Sequence, residues 1–142
     1  MGNMQVTRPM GYGERYQQVL EVVVPENEWI SANSRFTWRE RARRVRALRA
    51  RAFWLARAAR LAPADGRALV VAGVQSRVAR RSDPANASAT TKPLVDGLVD
   101  AGVFSDDDHT HVVGPHHVHM PPDPSLPRGS HRIVLEIREL DS

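Results

Sequence analysis

Apolar and polar residues alternate from Gln18 to Val24, so Leu20, Val22 and Val24 share one face of a predicted strand that Pro25 ends. Residues 26–37 lack this pattern and read as a loop. From Trp38 to about Leu61 the period changes to that of a helix. Val45, Leu48, Ala52, Leu55 and Ala59 fall on one face, and Arg39, Arg43, Arg46, Arg57 and Arg60 on the opposite one. Phe53 and Trp54 lie off the apolar stripe, near the basic side, and Pro63 and Gly66 mark the exit. Leu69 to Val78 is valine-rich and reads as a second strand. A second helix is expected to start near Thr91 or Pro93, where proline suits the first turn. It buries Leu94, Val95 and Leu98 and ends at Gly102. A third strand is expected at about His109 to Val113, then a loop over residues 114–130. A last strand runs from His131 to Leu140 with Ile133, Leu135 and Ile137 on one face. The order β-α-β-α-β-β predicts an α+β fold, a small mixed β-sheet with two helices packed on it. Residues 1–17 are expected to form a flexible extension to one domain spanning 18–142.

Composition narrows the setting. There is no run of about 18 apolar residues and no basic-then-apolar leader pattern, so a cytoplasmic protein with no membrane segment is expected. The chain has no cysteine, which excludes disulfides and thiolate metal sites. Its formal net charge is +4, and the basic residues are 19 arginines against a single lysine, Lys92. Arginine codon bias accounts for such a ratio without function. Yet guanidinium groups also recognise phosphate bidentately, which suits nucleic acid. Nine arginines between Arg39 and Arg60 face one acid, Glu40, so the first helix presents either a solvated basic face or a phosphate-binding one.

The chemistry concentrates between Asp83 and Asp108, where Asp83-Pro-Ala-Asn86, Lys92, Asp96, Asp100 and the triplet Asp106-Asp107-Asp108 occur. Clustered carboxylates repel one another and are costly to desolvate. Such a cluster either solvates a surface or holds a divalent cation. Asp83 follows one predicted strand and Asp106 and Asp107 precede another. If those strands are neighbours, Asp83 and Asp107 could share a hard cation such as Mg2+, with Lys92 contacting a phosphate or a leaving oxygen. The alternative is that Asp83 caps a turn and the triplet is solvated. Lys92, Asp96 and Asp100 share a side if the second helix begins early enough. His109 and His111 alternate along the predicted third strand, and with Asp107 they form a weaker transition-metal candidate. His116, His117 and His119 fall in the loop beyond.

Taken together, Trp29-Ile-Ser-Ala-Asn33-Ser-Arg35-Phe-Thr-Trp38, Asp83-Pro-Ala-Asn86, Lys92, Asp96-Gly-Leu-Val-Asp-Ala-Gly102 and Asp106-Asp107-Asp108 resemble the RusA-type Holliday junction resolvases, over roughly residues 19–140. The resemblance implies a homodimeric, Mg2+-dependent endonuclease that binds four-way DNA and makes paired nicks, in recombination, repair or phage DNA processing. By it, Asp83, Asp107 and Asp106 are metal ligands. Asp83, Lys92 and Asp107 are catalytic, and Asn86 positions the substrate. Asn33, Arg35, Arg39, Arg43 and Arg46 are expected to contact DNA. Ala85 stands where the best-known members carry a second acid, so either Asp108, Asp96 or a histidine such as His109 would substitute, or the metal would hold more water. A non-catalytic junction-binding protein on the same fold is the alternative that Ala85 motivates.

Overall fold

The computed structural model describes residues 17–79 and 81–140, together with the backbone of a short strand at Met4–Thr7. The strands are β1 (Met4–Thr7), β2 (Gln17–Val24), β3 (Ala68–Ser76), β4 (Val112–His119) and β5 (His131–Glu139). The helices are α1 (Trp38–Ala58) and α2 (Ser88–Asp100). The strands form one mixed sheet in the order β1-β2-β5-β3-β4, in which only β3 and β4 run parallel. The fold is α+β, as expected. The expected N-terminal extension differs in one respect, because Met4–Thr7 pairs with β2. Its remaining positions before Gln17 lie outside the described residues.

The period-2 pattern of β2 and β5 turns Leu20, Val22, Val24, Ile133, Leu135 and Ile137 to one face of the sheet. There they meet Val70 and Ala72 of β3. Both helices contribute to this core: Leu48, Ala52 and Ala56 from α1, and Leu94, Val95 and Leu98 from α2. Each fully buried leucine or isoleucine contributes about 1.5–3 kcal/mol over leaving it exposed. Most arginines of α1 are exposed, and the partly buried Arg44 and Arg51 are paired with Glu40 and Glu28, so no unpaired charge is buried there. Gln18 is one of four buried polar residues among those described, with Thr90, Thr91 and Ser130. Its side chain donates to Ala62 O at 2.8 Å and accepts from Ala62 N–H at 2.7 Å, fixing the chain as it leaves α1.

Two boundaries differ from expectation. The second helix begins at Ser88 and is preceded by a 3-10 turn at Pro84–Ala87, which Asp83 caps by accepting from Ala85 N–H at 2.9 Å. Pro84 takes the first-turn position that the pattern had suggested for Pro93. Pro93 instead lies inside α2 and is buried, which forgoes one backbone hydrogen bond. The third strand begins at Val112 rather than His109 and continues to His119, through a stretch expected to be loop. Gly-Pro reads as a break in a sequence. Here β4 is an edge strand, where proline is tolerated. Its register against β3 shifts between Leu69 and Val71, and Gly114 adopts φ +99 with its α-carbon close to Val70 O. Consequently His109 and His111 do not alternate along a strand. His116, His117 and His119 do lie on one.

The two helices touch most closely at Gly97. A β-carbon there would lie 2.3 Å from Arg49 O and 2.8 Å from Ala52 Cβ, both on α1. Beside this contact, Asp100 accepts from Arg49 Nε at 2.5 Å and Nη2 at 2.8 Å. Alanine is the better helix former by up to ~1 kcal/mol, but overpacking against a backbone carbonyl costs more. Gly97→Ala is therefore expected to lower stability by about 1–3 kcal/mol in urea unfolding. An unchanged midpoint would contradict the close helix contact.

Candidate active site and nucleic-acid interface

Burial of one hydroxyl positions the first part of the site. Thr90, fully buried near the start of α2, donates its hydroxyl to Ile30 O at 2.7 Å and accepts from Ile30 N–H at 2.9 Å. Ala32 N–H donates to Asn86 O at 3.0 Å. These bonds clamp the loop of Asn33 and Arg35 against the Asp83–Asn86 turn, although more than 50 positions separate them in sequence. Ser31 and Ser34 close the loop on itself, with Ser31 N–H donating to Ser34 Oγ at 2.9 Å. His119, at the end of β4, donates through Nε2 to Ser82 O at 2.7 Å, which ties the edge strand to the same turn. A cleft opens between these segments, with Asn33, Asp83, Asn86 and His119 among its walls.

The second part of the site gathers on the exposed side of α2. Helical spacing places Lys92 and Asp96 one turn apart, and the Lys92 ammonium donates to Asp96 Oδ1 at 2.9 Å. It also donates to Asp107 Oδ2 at 2.5 Å, from the turn that precedes β4. Asp107 N–H in turn donates to Asp106 Oδ1 at 2.7 Å. Asp100, expected on the same side, is committed to Arg49 instead. Asp108 accepts from Thr110 N–H and from its hydroxyl, and from His111 Nδ1 at 2.8 Å. These bonds hold its carboxyl down at about 2.

Asp83 and Asp107 thus fall into separate contact sets. Asp83 lines the cleft and caps its own turn, and Asp107 belongs to the Lys92 cluster. His117 lies between the two sets. It is hydrogen-bonded to Thr91 Oγ1 at 2.8 Å, next to Lys92 in the chain. Burial and neighbouring His116 push its pKa down, while Asp83 pulls it up. Among the described residues there is no cluster of three or more His, Asp or Glu side chains arranged to hold a metal ion. The donor set nevertheless suits a hard cation. Carboxylate oxygens of Asp96 and Asp107 already converge on one positive charge, the Lys92 ammonium, and Mg2+ is commonly held by one or two carboxylates with water completing its shell.

The basic face divides into free and engaged arginines. Arg43 is bound to Glu40 and to Asn27 O at 2.8 Å, and Arg44 and Arg51 are held by Glu40 and Glu28. Arg35, Arg39 and Arg46 are exposed and make no ion pair among the described residues. Trp38 is 74% exposed at the start of α1, with the Arg39 guanidinium 5.3 Å from its ring centre. An exposed indole beside an unpaired guanidinium is a surface on which a base can stack.

Sequence reasoning singled out Asp83, Asn86, Lys92 and Asp107 but gave no role to Trp29, His119 or His131. Trp29 stacks on His131 at 3.8 Å between ring centres, and all three line the cleft. A tryptophan in an otherwise polar loop was the available signal for Trp29. The two histidines carried none, because their neighbours are set by strand pairing. No family model matches the chain, and no curated protein matches it.

The Lys92 bond is the main cause that holds Asp107 below its ordinary 3.8, with Asp106 and Asp96 as lesser causes. The stability that Asp107 gains is therefore complete above that value and is lost as pH falls through its folded pKa. Lys92 is raised by the same partners, Asp107 first, so its share is lost only as pH rises past its own folded value. Carboxyl-carbon NMR titration should find Asp107 below 3.8 in the wild type and close to 3.8 in Lys92→Gln. No movement on that substitution would contradict the pairing.

Proposed function

We propose that this chain is a Mg2+-dependent endonuclease acting on branched DNA. Four-way junctions are the substrate that its resemblance to RusA-type resolvases implies. The observation that carries the reading is the meeting of the only lysine with Asp96 and Asp107, residues that the motif pattern singled out before any contact between them was known. An ammonium between two carboxylates is poised to leave them for a phosphate once a divalent cation supplies the charge they need.

Bound there, Mg2+ would neutralise charge on the scissile phosphate and make a nucleophile of water. Asp107, with Asp106 beside it, would hold the ion, and Asp83 would contribute from the cleft side. Lys92 would bind the phosphate and stabilise the leaving oxygen. Asn86, fixed through its own carbonyl to the Ala32 amide, would position the substrate strand. Arg35, Arg39 and Arg46 would hold flanking duplex. A homodimer would bring two such sites to a symmetric junction, in the cytoplasm of a bacterial or phage-infected cell.

A second reading has a specific observation behind it. Ala85 takes the place of an acid and Asp83 makes no direct contact with the Lys92 cluster, which favours a junction-binding protein without nicking activity. The two readings part on one assay. With a labelled four-way junction and Mg2+, the nuclease reading expects Asp107→Asn and Lys92→Ala each to lower nicking by roughly 10²–10³-fold. Equal background cleavage by wild type and Asp107→Asn would leave binding without catalysis.

The engaged and free arginines also make separable predictions. Arg39→Ala and Arg46→Ala should each reduce the slope of log affinity against log salt by about 0.9, one phosphate contact apiece. Arg43→Ala, whose guanidinium is already bound to Glu40, should change it less. Equal effects at all three positions would contradict this division of the basic face.

A further inference from the structure

We infer that the cleft between the Asn33 loop and the Asp83–Asn86 turn receives an unpaired nucleobase, one that carries an exocyclic amino group. The inference rests on the branched-DNA reading above and specifies which part of that substrate enters the protein.

The cleft has a volume of about 370 Å³, within the range of small-molecule sites. Its lining combines three kinds of group. Trp29 and His131 supply an aromatic wall, already stacked at 12° between ring planes. Asn33 and Asn86 supply side-chain amides that make no hydrogen bond among the described residues. Asp83 and Glu26 supply carboxylates, and only Oδ1 of Asp83 has a protein donor. Among the described residues, no arginine or lysine lines the cleft, in a chain of net charge +4. A phosphate inside would therefore face two carboxylates and none of the described arginines or the lysine. A flat, uncharged heterocycle faces aromatic rings on one side, amides that can pair with its edge, and acceptors for an amino group. Exposed Arg35, two residues beyond Asn33 in the same loop, would be free to meet a flanking phosphate. Adenine, guanine and cytosine present the amino group, and thymine does not. A branch point is where a duplex most easily yields an unstacked base, so the energy of extrusion is least there.

The test needs no cleavage. Affinity of the full-length protein would be measured by fluorescence anisotropy in EDTA for three four-way DNA junctions. They would be identical except for one extra residue at the branch: an unpaired adenosine, an unpaired thymidine or an abasic sugar. The adenosine junction is expected to bind on the order of 10-fold more tightly than the abasic one, as for base stacking on aromatic side chains, and more tightly than the thymidine junction. Asn33→Ala and Asn86→Ala should reduce the preference for adenosine over thymidine to within about twofold. Equal binding of all three junctions by the wild type overturns the inference, and so does a preference that survives both substitutions. If the three bind equally while Mg2+-dependent nicking of the plain junction persists, only the base site fails. If no junction binds at all, the branched-DNA reading fails with it.

Discussion

The buried hydroxyl of Thr90 is the contact on which the arrangement of the site depends. It makes two hydrogen bonds to the backbone of one residue, Ile30, in a place closed to water. Leaving those backbone groups unpaired would cost roughly 1–3 kcal/mol each. That penalty holds the loop of Asn33 and Arg35 to the N-terminal turn of α2. The Ala32–Asn86 bond then fixes the loop against the Asp83 turn, and the cleft exists only between the two.

Two kinds of positive charge serve different ends around this frame. Most arginines on the inner flank of α1 are spent on structure. Arg49 binds Asp100 across the helix pair, Arg51 binds Glu28, and Arg43 and Arg44 share Glu40. Their planar forks suit fixed carboxylates and loop carbonyls. Lys92 is different. It is a compact ammonium on a flexible stem, 60% exposed at its side chain, held between two acids. Such a group can exchange partners at little geometric cost, as the proposed contact with a phosphate would require.

Much of the fold was legible because it rests on period. The alternation in β2 and β5 and the 3.6-residue stripe of α1 each predicted the face that is buried, down to Leu48 and Ala52. What failed to show was anything decided by pairing between distant segments. Gly114-Pro115 looked like the end of a strand, yet an edge position accommodates both residues and β4 runs on to His119. The start of α2 lies at Ser88 rather than near Pro93, because Pro93 resembled a helix opener but sits inside the helix, while Pro84 opens the 3-10 turn before it. In the site, the placement of Lys92 and Asp96 on one side of α2 followed from spacing, whereas the contact of Lys92 with Asp107 did not, since Asp107 was expected beside Asp83. Asp83 follows the alternative that the sequence offered, capping its own turn by accepting from the Ala85 amide. Trp29 and His131 come together only through the β2–β5 register and the loop that follows β2.

The glycine contact between the helices has a mechanical consequence. The backbone of α1 approaches α2 closely at Gly97, and the Arg49–Asp100 bond joins the same two helices, so neither can slide past the other without breaking that fit. A displacement of α1 would therefore be felt by α2 and by the ammonium it carries. Under the proposed function, grip on a long polyanion by α1 and alignment of the lysine would be a single movement.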